Sequence, residues 1–176
     1  MLTRAKLGLA PGDIALLSVG DLNENKNRGV LAEALALLPV NYKFFIAGEG
    51  PLHGALEQKA RRLGAADRVK LLGFCKDVAA LPNACDLFCF PSKREGLPVS
   101  LIEAMACSAP CLASGARGCA DALGDLSDTC IVYGGPNEWA RRIKQTVNNP
   151  DLFIDVVDAS KFDVQSIVKQ MERIYA

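Results

Sequence analysis

Two glutamates and a lysine have the residue types and positions that could serve chemistry. Glu95 and Glu103 lie eight residues apart in the stretch PSKREGLPVSLIEAMACSAP. Ionised carboxylates only accept hydrogen bonds, which suits them to sugar and ribose hydroxyls. Lys26 lies between two asparagines, where its ammonium could meet a diphosphate as a point charge. The alternative is structural: a loop carboxylate, a solvated helix glutamate and a solvated loop lysine, and spacing alone leaves both interpretations open.

The two glutamates are positioned by a strand, a turn and a helix. The apolar run Leu87–Phe90 indicates a buried strand. A polar turn follows, in which Pro98 suits the first position of a helix. Glu95 therefore falls in the turn and Glu103 within the helix. The first amides of this helix, at Leu97, Val99 and Ser100, are candidate anion donors, because proline has no N–H.

Further apolar runs predict the rest of a sheet. They are Ile14–Val19, Tyr42–Ala47, Val69–Leu72, Ala109–Ala113 and Cys130–Tyr133. Segments with helical periodicity separate them, at 30–38, 52–63, 77–81 and 138–148, and two more helices are expected at 152–159 and 164–175. Alternating strands and helices predict an α/β fold: a Rossmann-like, three-layer α/β/α domain with a mostly parallel sheet of about six strands. We expect residues 1–176 to form this single domain.

Four loops that carry glycine or charge follow the first four strands. They are Gly20–Lys26, Gly48–Pro51, Gly73–Lys76 and Lys93–Pro98. Because carboxyl ends of parallel strands share one rim, the loops should converge there, as around a nucleotide-type ligand. The sequence contains neither the P-loop pattern nor G-x-G-x-x-G. Gly48-Glu49-Gly50 is either a weak phosphate-loop signal or a tight turn before a helix.

Composition excludes several classes of function. The formal net charge is zero, which argues against a nucleic-acid or membrane-surface partner. The chain has no apolar run long enough to span a bilayer, and the stretch MLTRAKLGLAPGD is too polar to be expected as a signal peptide. Its seven cysteines form no C-x-x-C pair, so we expect reduced structural thiols, no metal site and a cytoplasmic location. The single histidine, His53, is expected at the surface near a helix start.

Several of these segments together resemble a known family. They are SVGDLNENKN, AGEGP, LLGFCKDVAALPNACDLFCFPSKREGLPVSLIEAMACSAPCLAS and GARGCADAL. They are similar to the retaining glycosyltransferases of the GT-B fold, in the large bacterial group (group 1, family 4-like) that includes capsule and exopolysaccharide enzymes. The PSxxEGLPxxLIEAMA stretch is the specific signature, and the other segments follow in the family's order.

The resemblance implies a role for each candidate residue. Glu95 matches the glutamate that contacts the donor sugar, and Glu103 the one that holds the ribose. Lys26 matches the cation that neutralises the leaving diphosphate. Gly20, at the end of the first strand, is a further donor-binding position. The remaining donor-binding positions are the phosphate-binding helix start at Gly96, Leu97 and Val99, and the nucleobase pocket at Gly73 and Phe74. The resemblance also implies that no metal or other cofactor is needed.

The sequence departs from the family pattern at a few positions. Many members have Gly-Arg where this chain has Gly20-Asp21, so one phosphate-binding cation is missing. Arg117, in the segment that replaces the family's Gly-Gly, is a candidate substitute. Ser108 stands where glycine is common.

The resemblance covers only the second, donor-binding half of a GT-B enzyme. We therefore expect an N-terminal acceptor-binding half or a partner subunit, and peripheral membrane association only through that half. The expected reaction is transfer of a glycosyl group from a nucleoside diphosphate sugar, with UDP favoured, to a hydroxyl in polysaccharide or glycoconjugate synthesis. This chain alone is expected to be inactive or nearly so. The alternatives are a non-catalytic nucleotide-sugar-binding subunit and, less favoured by the glutamate motif, a GT-B-like nucleotide-sugar epimerase.

Overall fold

The computed structural model of the protein describes residues 4–76 and 78–153, with only the backbone described at position 79. The strands are β1 (Ile14–Val19), β2 (Tyr42–Ala47), β3 (Val69–Gly73), β4 (Leu87–Phe90), β5 (Cys111–Ser114) and β6 (Ile131–Val132). The helices are α1 (Arg28–Ala36), α2 (His53–Arg62), α3 (Val99–Ala106), α4 (Arg117–Leu123), α5 (Ser127–Cys130) and α6 (Pro136–Asn148). Short 3-10 turns lie at Arg4–Leu7, Ala66–Arg68, Val78–Ala80, Pro82–Ala84, Gly124–Leu126 and Pro150–Phe153.

The strands form one sheet in the order β3-β2-β1-β4-β5-β6, and every neighbouring pair is parallel. Helices α1, α2 and α6 pack side by side, and α3 packs with α4. The chain runs from β1 towards β3 on one side of the sheet and from β4 towards β6 on the other. Right-handed connections that run in these opposite directions place their helices on opposite faces of the sheet. The result is the expected three-layer α/β/α fold. The strand order reverses between β1 and β4, so the loops after these two strands border one crevice.

The core explains why the strands appear in the sequence as continuous apolar runs. All four residues of β4 are buried, and so are five of the six in β1. In a parallel sheet covered by helices on both faces, successive side chains are buried alternately under one layer and the other. Phe88 and Phe90 of β4 lie on the same face with their rings 6.2 Å apart.

Among the described residues, no helix combines the length and the apolar character needed to cross a bilayer.

The expected element boundaries differ from the observed ones near α3. Pro98 was expected at the first helical position, but its ψ of 72° is not helical and α3 begins at Val99. Pro98 instead supplies the first carbonyl acceptor, to the amides of Leu101 and Ile102. At the other end, Ser108 adopts a φ of 55° and the Ala109 amide still bonds to the Ala104 carbonyl. Because this cap occupies Ser108 and Ala109, β5 begins at Cys111 and not at Ala109 as expected.

Smaller differences occur elsewhere. The last strand has two residues, because Cys130 ends α5. The short helix expected at 77–81 is two 3-10 turns on either side of Leu81. The terminal helices expected at 152–159 and 164–175 lie outside the described residues, apart from 152 and 153, which belong to the last 3-10 turn. That residues 1–176 make a single domain stays a prediction.

Candidate functional site

The loops after β1 and β4 meet at the point where the strand order reverses. The Lys26 ammonium lies 2.6 Å from a carboxylate oxygen of Glu95, although the two residues are 69 positions apart. Their side chains are 20% and 10% exposed, so this ion pair is largely shielded from solvent. The ammonium also lies 5.2 Å from the centre of the Phe90 ring. The structure thus brings together the two residues predicted to act on the diphosphate and the sugar.

Asn25 joins the same two loops through the backbone. Its side-chain amide donates to the Arg94 carbonyl at 2.9 Å and its side-chain oxygen accepts from the Arg94 amide at 3.1 Å. Its own carbonyl accepts from the Lys93 amide at 2.8 Å. Three hydrogen bonds from one residue fix how the β1 loop lies against the β4 loop. They therefore position the neighbouring Lys26 opposite Glu95.

Glycines allow the first three loops to touch. A Cβ on Gly48 would lie 2.0 Å from the Gly20 carbonyl oxygen, and a Cβ on Gly50 would lie 2.5 Å from the Leu22 carbonyl oxygen. The Gly48 amide also donates to the Gly73 carbonyl at 2.8 Å. Gly48 and Gly50 therefore allow backbones to cross, which favours the tight-turn interpretation of this segment. Gly20 and Gly73 both lie at this contact, at the ends of β1 and β3.

The predicted phosphate-binding start of α3 is open to solvent. Gly96 is exposed, and the side chains of Leu97 and Val99 are 65% and 54% exposed. The Val99 amide donates to the Leu97 carbonyl at 3.0 Å, so it can serve an anion only if that bond is exchanged. Ser100 faces the crevice, where its hydroxyl donates to the Val19 carbonyl at 3.3 Å.

The two remaining donor-binding candidates are exposed. Glu103 lies on α3, and none of the described residues hydrogen-bonds to its carboxylate. Phe74 follows β3, and its side chain is 72% exposed. The roles of Glu103 and Phe74 in holding ribose and base stay predictions.

Gly118 supports the turn at Glu95 and was not singled out from the sequence. Its amide donates to the Glu95 carbonyl at 3.2 Å. A Cβ at this position would lie 2.3 Å from the Gly96 carbonyl oxygen and 2.7 Å from that of Glu95. The first turn of α4 therefore contacts the turn before α3 so closely that no side chain fits between them. Sequence spacing carries no signal for this contact, because it joins two separate loops.

Arg28, the first residue of α1, is the second residue that the sequence did not reveal. The residue as a whole is only 4% exposed. One guanidinium nitrogen, Nη1, donates to the Lys26 carbonyl at 3.2 Å, while Nε and Nη2 have no partner among the described residues. Burial lowers the pKa of Arg28 to about 10, an effect opposed by the negative charges of Asp21 and Glu95. The side chain therefore remains charged at neutral pH.

The position of Arg28 becomes unusual once α1 is seen to begin there and not at residue 30 as expected. A cation at the first position of a helix is unfavourable, because the helix dipole is positive there. Such local inconsistencies often occur at functional positions.

Arg117, the candidate substitute for the missing cation, lies elsewhere. Its side chain is 95% exposed, and its Nε lies 3.8 Å from a carboxylate oxygen of Asp121, one turn later on α4. Its guanidinium therefore belongs to a solvated ion pair.

The cysteines and the histidine carry no sign of chemistry. All seven cysteines are free, and four are buried. Burial raises the pKa of the Cys85 thiol to about 12 and that of Cys119 to about 11, so both are unreactive thiols at neutral pH. His53 is exposed at the start of α2, as expected. No cluster of three or more metal-ligating residues occurs within 4–76 and 78–153, and the expectation of a metal-free reaction stays a prediction.

A cavity of about 350 Å³ lies away from this junction, along the edge strand β3. Its lining includes Lys6, His53 and Lys70. We assign the candidate site to the junction of the β1 and β4 loops, since ligands of open α/β sheets bind where the strand order reverses.

Comparison with known proteins agrees with this geometry. Residues 2–161 match the family model described as glycosyl transferases group 1. The chain is 32% identical to the putative glycosyltransferase EpsD of Bacillus subtilis, over 98% of this chain and 48% of that protein. It is 31% identical to a Campylobacter jejuni N-acetyl-D-galactosaminyltransferase that acts on an undecaprenol-linked glycan, over 92% of this chain and 47% of that protein. It thus spans about half the length of these relatives.

Solved structures give the same result. HepE of Anabaena, crystallised with UDP and glucose and with UDP-glucose, superposes with a TM-score of 0.87 and 26% identity. The match covers 98% of this chain and 50% of HepE. The fold, the family match and these relatives agree, and the chain belongs to the glycosyl transferases group 1, with the architecture of one half of a GT-B enzyme.

Proposed function

We propose that this chain is the donor-binding half of a retaining glycosyltransferase, and that it binds a nucleoside diphosphate sugar at the junction of the β1 and β4 loops. The observation that carries the proposal is the contact between Lys26 and Glu95. It places a cation for a phosphate and an acceptor for a sugar hydroxyl within 2.6 Å of each other. A nucleoside diphosphate sugar presents these two groups next to each other.

In the proposed reaction, the bond between the anomeric carbon and the diphosphate breaks, and a bond to the acceptor hydroxyl forms with retention of configuration. Negative charge grows on the departing diphosphate as the anomeric carbon becomes oxocarbenium-like. Lys26 and the start of α3 near Gly96 stabilise that charge, because fixed positive groups cost no reorganisation as the charge develops. Glu95 orients the sugar, and Glu103 binds the ribose.

UDP is the proposed nucleotide. HepE, which has the same fold, was solved with UDP and with UDP-glucose. The exposed ring of Phe74, which follows β3, offers this chain an apolar surface at the carboxyl-end rim of the sheet, against which a flat base can stack. The proposed pathway class is polysaccharide or glycoconjugate synthesis, which is supported by the Campylobacter jejuni relative that acts on an undecaprenol-linked glycan.

Two further parts of the proposal concern chemistry and location. No metal is required, because Lys26 and the amides of the α3 start take the role that a divalent ion has in other transferases. A cytoplasmic location is proposed because a chain with seven free thiols is typical of a reducing compartment.

A non-catalytic role is the second candidate. Because the chain spans about half of its relatives, it could bind the nucleotide sugar as a subunit and dock on a partner that carries the acceptor site. Both candidates require the same donor site. They differ in whether the other half is joined to this chain or carried by a separate partner.

Calorimetric titration with UDP, GDP and ADP tests the proposal. We expect UDP to bind most tightly, with UMP weaker because it lacks the second phosphate. Tighter binding of GDP or ADP would contradict the choice of UDP. If none of the three diphosphates binds the folded chain, the donor-site proposal itself is wrong.

A further inference from the structure

Arg28 is a buried charge whose hydrogen-bonding capacity is largely unused. A guanidinium has five N–H donors, and this one makes a single hydrogen bond to a described residue, from Nη1 to the Lys26 carbonyl. A buried charge without partners is costly, and native proteins rarely keep one without compensation.

The free side of the guanidinium faces the crevice end of β1. The Arg28 Nη2 atom lies 3.1 Å from the position that a Cβ on Gly20 would occupy, and the Lys26 Cε atom lies 3.7 Å from the same point. The two cationic side chains therefore converge on Gly20. Arg28 is also hydrogen-bonded to the backbone of Lys26, the residue whose ammonium pairs with Glu95.

Three positive groups thus meet at one place. They are the Arg28 guanidinium, the Lys26 ammonium and the amino end of α1, whose first turn contains no acidic residue. Glu95 and Asp21 supply the opposing charge that acts on Arg28. Two positive side chains remain only partly balanced by these carboxylates, so a bound anion would find an excess of positive groups beside Gly20. In a shielded environment such charges act more strongly than in water.

We propose that Arg28 is a positioning residue that supplies a second positive charge, beside that of Lys26, to the diphosphate site. It acts by its fixed charge and by holding the Lys26 carbonyl, and it need not touch the ligand. The inference rests on the proposed function, because it assumes that a nucleoside diphosphate binds at this junction. It assigns to Arg28 the role that the sequence suggested for Arg117, whose solvated ion pair with Asp121 makes it the natural control.

The test is calorimetric titration of the full chain and its variants with UDP, UMP and uridine. Arg28→Gln should weaken UDP binding by on the order of tenfold, weaken UMP binding less and leave uridine binding unchanged. Arg28→Lys keeps the charge and should stay within about threefold of the original chain. Arg117→Gln should bind all three ligands as the original chain does. A purely structural role would instead weaken all three ligands equally.

The outcomes separate this inference from the proposed function. If the original chain binds no nucleoside diphosphate, the proposed function fails. If it binds UDP and a folded Arg28→Gln variant binds UDP equally well, or loses UDP and uridine in equal measure, only the role of Arg28 is overturned. Should Arg28→Gln not fold, Arg28→Met, which keeps a long flexible side chain without the charge, is titrated with the same three ligands. That variant should lose UDP affinity and keep uridine affinity, and unchanged UDP affinity would refute the inference.

Discussion

At the scale of single residues, the candidate site is a set of charges held between two loops. An ordinary surface ion pair contributes little to stability, because water screens its charges. The ion pair between Lys26 and Glu95 is more shielded from water than such a pair. Its position where the strand order reverses favours ligand binding over stability as its role. A ligand that offers a phosphate to Lys26 and a hydroxyl to Glu95 can replace the pair without leaving either charge without a partner.

The first prediction concerns Lys26. Lys26→Ala should weaken UDP binding by about tenfold or more, because a hydrogen bond from a charged donor contributes roughly 1.5–3 kcal/mol. Calorimetry measures the loss directly. Lys144→Ala, at an exposed position on α6, is the matched control and should bind UDP normally. Unchanged UDP affinity in Lys26→Ala would show that Lys26 does not bind the diphosphate.

At the scale of elements, the site depends on backbones that approach too closely for side chains. The turn before α3 lies against the first turn of α4 at Gly118, and the β1 and β2 loops cross at Gly48 and Gly50. Each contact joins loops from different strands, so each one sets the geometry of the rim rather than the stability of a single helix. The geometry of the site therefore depends on these glycines as well as on the charged residues.

The second prediction tests this with Gly118→Ala. The added methyl group would meet the Gly96 carbonyl oxygen at 2.3 Å, so α4 or the turn must move. We expect a loss of about 1–3 kcal/mol in the free energy of unfolding, as for other overpacked sites, measured by urea denaturation. We also expect weaker UDP binding, because Glu95 moves with the turn.

Gly54→Ala is the control for that measurement. Gly54 lies in α2, and no atom of the described residues beyond its own helix backbone and chain neighbours comes within 4 Å of the point where an alanine Cβ would lie. Alanine there should be neutral or stabilise the protein by up to about 1 kcal/mol, since alanine favours a helix over glycine. A Gly118→Ala variant that is as stable as Gly54→Ala would contradict the packing argument.

At the scale of the whole molecule, the chain has the fold of one GT-B half, and it spans about half the length of its relatives. The exposed apolar side chains of Phe74, Leu97 and Val99 lie at or near the same rim as the charged site. In the proposed function this rim faces the acceptor-binding half. In the same proposal, the donor site can bind a ligand alone, whereas transfer needs both halves.

The third prediction follows from that division. The purified chain should bind UDP and yet transfer no sugar from UDP-glucose or UDP-N-acetylglucosamine to an acceptor, because in the proposed function the acceptor site belongs to the other half. Release of UDP, measured with and without acceptor glycans, checks this. Transfer of sugar to an acceptor by the purified chain, without any partner, would contradict the proposal that it is only the donor-binding half.

The α/β class, the strands and the loop residues that surround the site were all predictable from the sequence. Buried parallel strands appear as apolar runs such as Leu87–Phe90, and glycine or charge marks the loops between elements. The family signature around Glu95 and Glu103 identified the kind of enzyme. These features are local in the chain, which is why spacing and composition reveal them.

Which residues meet became known only from the packed fold. Lys26 and Glu95 are 69 positions apart, and the strand order brings their loops together. The burial of Arg28 and the contact of Gly118 with the turn before α3 depend on how loops and helices pack together at the rim, and the order of residues along the chain does not reveal either. The start of α3 at Val99 likewise follows from hydrogen bonds that helix propensity does not specify. Burial and the meeting of loops are properties of the packed molecule, so a linear sequence reveals the candidate groups but not the site they form.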